Sequence, residues 1–568
     1  MTVIYDDAAD FADDQLEGFC SLYSDRLSRV PGGVVAHRSE TPQVAVVVGG
    51  GSGHYPAFAG LVGPGFASGA VVGNIFTSPS AADVYSVAKA AEQGRGVVLS
   101  FGNYAGDVLN FGIAAQRLRS EGIDTRIVVV TDDVASAGAV EDRRGIAGDF
   151  AVFKVLTAAA AEGLDIDHVE RMGRQANAAT YSHGVAFSGC TLPGAPSPLF
   201  VVPSGQMSVG LGIHGEPGLR DVDRLPASAL AAVLVDAVLA EAPHHASRRV
   251  AVILNGLGTT KHEELFLLYR HVARYLADRG LEVVAPEVGE LVTSLDMGGC
   301  SLTVMWLDDE LERLWCADAY APGYRKLRAP IEGLQESLAR VSQDPLTVVE
   351  PASTASLAAS GVVRRGASAV LDTLRGHEDE LGRLDAVAGD GDHGRGMVRG
   401  ASAAVEALNL LPSSTGVALL LRTAGRAWAT RAGGTSGVLW GAGLEAAADA
   451  LGDSRDRYDD QSVQEAVSAF ADAVVQLGGA GVGDKTFVDA IVPFCEALAR
   501  TSADGAAATW RDASDAATQA AQSTAPLRAR RGRARTLAER SVGTADPGAV
   551  SFALAVSALA DVEIGAES

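Results

Sequence analysis

The sequence predicts a multidomain chain: an α/β region at the N-terminal side and an all-α region at the C-terminal side. Three observations carry this. With 568 residues the chain exceeds what one hydrophobic core usually organises, so two or three domains are expected. From the N-terminus to about residue 330, short β-branched runs alternate with helical stretches, the pattern of α/β layers. Beyond Ser356 the strand-like runs nearly vanish and alanine-rich segments with helical spacing take over.

The strand-like runs are Val44–Val48, Val97–Ser100, Ile127–Val130 and Val250–Leu254, each followed by Gly, Asn or Asp. The first two are almost wholly apolar, as strands buried on both faces should be. The loops after such strands are where α/β proteins place ligands. QDPLTVVEPASTAS (343–356) holds two prolines and small polar residues without periodicity, which predicts a linker. ASLAASGVVRRGASAVLDTL and DQSVQEAVSAFADAVVQL exemplify the helical part, and Gly389–Gly396, Gly433–Gly437 and Gly478–Gly483 punctuate it. The boundaries read as 1–335, a linker over 336–356, and 357–568.

Composition narrows the function classes. Lys and Arg total 46 against 70 Asp and Glu, a net charge of −24, which argues against nucleic acid or an anionic membrane as partner. An acidic enzyme handling anionic substrates must supply local positive charge through a metal ion or oriented N–H groups. The five cysteines are scattered and form no CxxC, so neither a disulfide framework nor a zinc site is expected, and a reducing cytoplasm fits. The acidic start MTVIYDDAADFADDQLEGF lacks the basic and apolar regions of a signal peptide. No apolar run reaches the length of a membrane span.

Asp385, Asp390 and Asp392 fall within eight residues of LDAVAGDGDHG. Mg²⁺ takes hard oxygen ligands, commonly one or two carboxylates plus substrate phosphates, and three carboxylates this close repel one another without a cation. A lone DGD is more often a solvated acidic turn; glycine-rich companions change the balance. Gly433-Gly434-Thr435-Ser436-Gly437 can converge N–H groups on an anion, although a capped helix–helix turn looks the same. Gly483-Asp484-Lys485-Thr486-Phe487 and Asp546-Pro547-Gly548 are further loops, and Arg528–Arg540 is the dense basic segment of an acidic chain. GxxxxGK[ST] is absent, which excludes a P-loop enzyme. In the first region, VAVVVGGGSGHYP places a glycine-rich turn after a buried strand and ends it with His54, SFGNYAGD presents Asp107, and GLGIHGEPG sets His214 between glycines. For any one of the eleven histidines a surface or structural role is the default; His54 and His214 stand out by their glycine-rich loops.

Together, GGGSGH, NYAGD, GIHGEPG, TSLDMGGCSLT, LDAVAGDGDHG, GGTSG, GDKT and ERSVGTADPGAVS resemble the dihydroxyacetone kinase family in its single-chain, ATP-dependent form, over nearly the whole chain. The resemblance implies a ketose-binding region of two α/β subdomains and a nucleotide-binding helical barrel. It implies that His214 binds the substrate carbonyl as a covalent hemiaminal, that Asp107 is the base, and that His54 is its hydrogen-bonding partner. Gly51, Ser52 and Gly53 complete the substrate loop. Asp385, Asp390 and Asp392 match ligands of paired Mg²⁺ ions on ATP; His393, Gly394, Arg395, Gly396, Thr435, Ser436, Gly478, Phe487, Arg533, Asp546, Pro547 and Gly548 match nucleotide contacts. A homodimer is the implied assembly. The chain departs from the family at the ketose loops. Tyr55 and Phe58 stand where an acidic residue and a histidine are common, Gly102 where a lysine is frequent, Asn74 where an aspartate is, and Ala105 where a threonine is. With the chemical residues intact, that points to the same reaction on a short ketose, with erythrulose at least as much expected as dihydroxyacetone. Strict dihydroxyacetone kinase activity and a phosphotransferase-system or regulatory ketose binder are the alternatives.

Overall fold

A computed structural model describes residues 2–38, 40–243, 247–328, 351–500, 506–560 and 562. The chain divides into two compact units, Met1–Ser337 and Leu338–Ser568. Most of the expected linker lies outside the described residues; its last residues start a helix, with Ser353 accepting the Ser356 N–H as N-cap.

The first unit contains two sheets. One is built from β1 (Leu27–Val30), β2 (Gly33–Ala36), β3 (Ala45–Ser52), β4 (Gly69–Ile75), β5 (Val97–Gly102) and β6 (Thr125–Val130), in the order β1-β2-β4-β3-β5-β6. β4, β3, β5 and β6 run parallel, and β1 and β2 form an antiparallel edge. The apolar runs are buried on both faces, as their composition predicts. The expected glycine-rich turn is different: Gly49–Ser52 continue β3 rather than leave it. The reason is crowding. A Cβ on Gly49 would lie 2.7 Å from the Val71 carbonyl oxygen, and one on Gly51 would lie 2.7 Å from the Thr77 nitrogen, so only glycine brings β3 this close to β4 and its following loop.

The second sheet holds β7 (Thr180–Ala186), β8 (Gln206–Val209), β9 (Arg220–Asp223), β10 (Arg249–Gly256), β11 (Glu282–Val283), β12 (Glu287–Gly289) and β13 (Gly299–Trp306). Its order is β11-β10-β13-β7-β8-β9, with β12 also on β10. The expected strand Val250–Leu254 is the centre of β10. One core, including Val46, Phe58, Phe150, Met297 and Trp315, is shared by the two subdomains.

The second unit has no strand among the described residues. Eight helices follow one another round a ring: Thr354–Gly376, His393–Leu410, Val417–Ala432, Gly434–Leu451, Asp460–Gly478, Val488–Leu498, Ala506–Ser523 and Pro547–Ala560. The last packs on the first, closing a helical barrel. Its interior is an apolar cavity of about 320 Å³, with Trp428, Trp440, Phe470, Phe494, Trp510 and Phe552 in its lining. Trp428 stacks on Trp440 at 4.9 Å and Trp440 on Phe487 at 5.3 Å; each such pair adds roughly 0.5–1.5 kcal/mol beyond its burial.

Candidate functional site

Two clusters of sequence-predicted residues form, one in each unit. In the first unit, β3 delivers His54, the loop after β8 delivers His214, and the helix Ala105–Ser120 that follows β5 delivers Asp107 in its first turn. The parallel strands end here, where open α/β sheets expose their ligand loops.

His54 is buried, and its Nε2 lies 3.1 Å from His214 Nε2. Its Nδ1 is 2.7 Å from the Thr293 carbonyl oxygen. Burial, then the neighbouring His214, pushes the His54 pKa down to about 3, so this ring is neutral at physiological pH. His214 Nδ1 lies 3.1 Å from Glu216 Oε1, and its backbone N–H donates to Glu216 Oε2 at 3.0 Å. Three rings surround His214 edge-on: His54, Phe76 and Tyr104, with centroids 4.9, 5.0 and 4.8 Å away. Phe76 takes a left-handed φ of 54° and stacks on His54 at 5.1 Å. Backbone strain of this kind is costly for a bulky residue and is retained where a side chain must be aimed.

Asp107 is buried and accepts a 2.8 Å hydrogen bond from Ser78 Oγ. Burial raises its pKa to about 6, against the opposing pull of Ser78 and the charge of His214. That value suits a general base near neutral pH. Ser52 Oγ, on the expected substrate loop, is buried without a hydrogen-bond partner among the described residues. Gly51 and Gly53 back onto Phe76. Among the departing residues, Phe58 is buried with its ring 6.3 Å from that of His54, and Tyr55 is exposed with its ring edge-on to Phe19 at 6.3 Å.

In the second unit the glycine-rich loops gather at one end of the barrel. The helix Glu378–Asp385 stops at Asp385, whose Oδ2 accepts the Gly391 and Asp392 N–H groups at 2.8 and 3.1 Å. Gly391 turns the chain with φ of 77°, and a Cβ on Gly389 would overlap the Asp385 carboxylate. The loop thereby folds back, and Asp385, Asp390 and Asp392 each place an oxygen within 4.8 Å of the others. Three hard oxygen donors around one point fit Mg²⁺ with room for phosphate oxygens.

His393 begins the next helix, and its Nε2 lies 2.9 Å from Ser551 Oγ on the helix that starts at Pro547. Burial lowers the His393 pKa against the charge of Asp385. Gly394 abuts the Glu378 carbonyl, Arg395 is exposed, and a Cβ on Gly396 would lie 3.4 Å from the Ala432 carbonyl oxygen. Ala432 leads directly into Gly433; Thr435 and Ser436 then occupy the first turn of the helix Gly434–Leu451. A Cβ on Gly478 would meet Leu439 of that helix, and one on Gly548 would meet Phe487 at 3.5 Å. Asp546 caps its helix by accepting the Ala549 N–H at 2.8 Å; burial, with Asp489 adding to it, raises its pKa to about 7. Arg533 opens a 3₁₀ turn; its side chain lies outside the described residues.

Sequence reasoning left several residues without a role. Glu216, Thr293, Phe76, Tyr104 and Ser78 all contact the histidines or Asp107. Lys485 is buried, and its Nζ donates to the carbonyls of Leu527 and Thr544 at 3.0 and 2.7 Å and to those of Ala525 and Ser541. It ties together the two ends of the basic segment. Glu216 stands two residues from His214, a signal within the motif itself; the others are distant in sequence.

No helix of the described residues is long and apolar enough to cross a membrane. The Dak1 domain model matches residues 17–323 and the DAK2 domain model residues 387–561. The chain is 55% identical to a D-erythrulose kinase of Mycolicibacterium smegmatis, over 99% of this chain and 98% of that protein. It is 51% identical to an L-erythrulose 1-kinase of the same organism, over 99% of each. It also matches the crystal structure of the dihydroxyacetone kinase from C. freundii in complex with AMP-PNP and Mg²⁺, with a TM-score of 0.60 and 30% identity over 99% of this chain and 100% of that one. With both domain models on one polypeptide and relatives of this identity along its full length, the chain belongs to the dihydroxyacetone kinase family.

Proposed function

We propose that the chain is an ATP- and Mg²⁺-dependent kinase that phosphorylates a terminal hydroxyl of erythrulose held covalently on His214. The observation that carries the substrate is the 55% and 51% full-length identity to erythrulose kinases, against 30% to the dihydroxyacetone kinase structure. The loop departures at Tyr55, Phe58, Asn74, Gly102 and Ala105 support the same reading.

Capture begins at His214. Its Nε2 lone pair forms the N–C bond to the ketose carbonyl carbon, the carbonyl π pair moves to the oxygen, and that oxygen takes up a solvent proton (H⁺), leaving the positive charge on the imidazole ring. Only an open-chain ketose offers this carbon, and a tethered substrate holds its hydroxyl in place, which replaces translational and rotational freedom. Asp107, with its pKa near 6, takes the proton of the attacking hydroxyl. Phosphoryl transfer asks the protein for positioning and charge neutralisation. Asp385, Asp390 and Asp392 would hold the Mg²⁺, which when bound screens the charge of the nucleotide phosphates. The helix-start N–H groups at Thr435, Ser436 and Gly548 stand where phosphate oxygens would be held. His393, Gly394, Arg395, Gly396, Gly478, Phe487 and Arg533 complete the proposed nucleotide contacts, and the proposed assembly is a homodimer, tested by a solution mass twice that of the chain.

A steady-state panel of dihydroxyacetone, D-erythrulose and L-erythrulose with Mg-ATP tests the assignment. The expected result is a higher kcat/KM for one erythrulose enantiomer. A strong preference for dihydroxyacetone overturns the substrate, and absence of ketose-dependent ATP consumption overturns the kinase reading.

A further inference from the structure

His54 and His214 face each other through the same ring nitrogen, with the Nε2 atoms 3.1 Å apart. The opposite nitrogen of each ring sits on a group that only accepts. For His54 it is the Thr293 carbonyl oxygen, at 2.7 Å. For His214 it is Glu216 Oε1, at 3.1 Å. A carbonyl and an ionised carboxylate both require a donor, so each ring, when neutral, carries its proton on Nδ1 and turns a lone pair outward at Nε2. Two lone pairs at this distance repel, and a carbonyl carbon entering at His214 Nε2 relieves the repulsion while His54 Nε2 remains an acceptor for the new hydroxyl.

Glu216 is equipped to impose this state. Burial would raise its pKa, but the His214 hydrogen bond and charge, with the Arg144 guanidinium, hold it down at about 2. Its Oε2 accepts the His214 backbone N–H at 3.0 Å and lies 3.6 Å from Arg144 Nη1. Arg144 is fixed in turn by buried Asp133, through Nη2 at 2.8 Å and Nε at 3.1 Å. Gly212 leaves the space in which the Glu216–Arg144 pair lies, because a Cβ there would overlap both side chains.

We propose that Glu216, anchored by Arg144 and Asp133, is a positioning residue that holds His214 as its Nδ1–H tautomer and so leaves Nε2 as the nitrogen that adds to the ketose carbonyl. This rests on His214 being the tether. Once the N–C bond forms, the imidazole carries a positive charge, and the Glu216 carboxylate faces it. Hydrolase triads use a carboxylate in the same way, and there the wrong tautomer costs ~10⁴ in kcat.

The test compares Glu216→Gln, Glu216→Asp and Glu216→Ala with His214→Ala in the full chain. It measures erythrulose affinity by titration calorimetry, KM for ketose and ATP, and ¹⁵N shifts of the His214 ring. Glu216→Gln keeps the size of the side chain, so a misfolded alanine variant leaves the test intact. The expected result is a KM for ketose raised by at least ~10-fold, the scale on which partners that orient a histidine act. KM for ATP is unchanged, and the ¹⁵N pattern moves from Nδ1–H toward a mixture of tautomers. Glu216→Asp, which keeps the charge, recovers part of the loss. Unchanged ketose affinity together with an unchanged His214 ¹⁵N pattern in Glu216→Gln overturns the inference. His214→Ala separates this from the underlying reading: if that variant still binds erythrulose with full affinity, the tether itself fails, whereas its loss beside an unaffected Glu216→Gln removes only the role of Glu216.

Discussion

The two candidate sites are built on opposite plans. The histidine site is made of buried and half-buried side chains of the first unit, each fixed by a partner: His54 on Thr293, His214 on Glu216, Asp107 on Ser78. Burial shifts its titrating groups, His54 down to about 3 and Asp107 up to about 6. The barrel rim is made of loop ends, with Asp390 and Asp392 exposed. The difference follows from the tasks. Capturing and deprotonating a small neutral ketose requires tuned pKa values, which requires exclusion of water. Holding a polyanion with a metal ion requires charge and donors, which hydrated loops at helix starts provide.

Breaking each site should therefore fail differently. His214→Ala removes the proposed tether, and the largest loss is expected there: kcat/KM for ketose down by at least ~10⁴-fold, the scale of a lost intramolecular arrangement, with nucleotide affinity unchanged by calorimetry. Asp107→Asn keeps the size of the side chain and removes the proposed base; turnover should drop by at least ~10²-fold while erythrulose affinity persists. Asp385→Asn should leave ketose binding untouched and weaken Mg-nucleotide binding by ~10–100-fold, measured by nucleotide titration with and without Mg²⁺. A mutant that damaged both affinities together would dissolve the distinction between the two plans.

pH sharpens the comparison within the first unit. The Asp107 pKa is raised to about 6 by burial, and as the proposed base it works only when ionised. Activity is then present above this pKa and lost as pH falls through it, with kcat/KM for ketose declining ~10-fold per pH unit on the acid side. His54, neutral down to about 3, contributes nothing to that limb. Asp107→Asn should abolish it, and a limb that survives in the variant assigns it to another group.

How much of this was legible in the sequence follows the same division between local and distant contacts. Val44–Val48 and Val97–Ser100 announce buried parallel strands because both faces are apolar. The carboxylate loop is legible because all three aspartates and the glycines that fold them back lie within one short segment. The glycines of β3 misled, because their cause is the backbone of Phe76 and Thr77 pressed against the strand, a contact that no local pattern encodes. Thr293 reaches His54 across 239 residues, and Phe76 becomes a wall of the site only through its left-handed backbone. The closure of the barrel, with Pro547–Ala560 on Thr354–Gly376, is a long-range fact of the same kind. Periodicity gives helices, not their ring order.

Lys485 offers the finest test, because its position in GDKT beside the proposed nucleotide rim invites a phosphate-contacting role that its geometry opposes. Its Nζ is surrounded by carbonyl oxygens of Ala525, Leu527, Ser541 and Thr544, and its residual exposure is 5%. A buried ammonium with that many acceptors is a tie between chain segments, and each segment flanks either the basic stretch or Asp546. Lys485→Met preserves length and leaves the carbonyls without their donor. Hydrogen bonds to a charged group contribute about 1.5–3 kcal/mol each, so a loss on that order should lower the melting temperature of the helical unit by roughly 3–12 °C, with the transition of the first unit unmoved. The effect on turnover should be the smallest of the series, a KM for ATP raised by less than ~10-fold. A far larger loss of nucleotide affinity at unchanged thermal stability would mean that Lys485 leaves its carbonyls and reaches the phosphates.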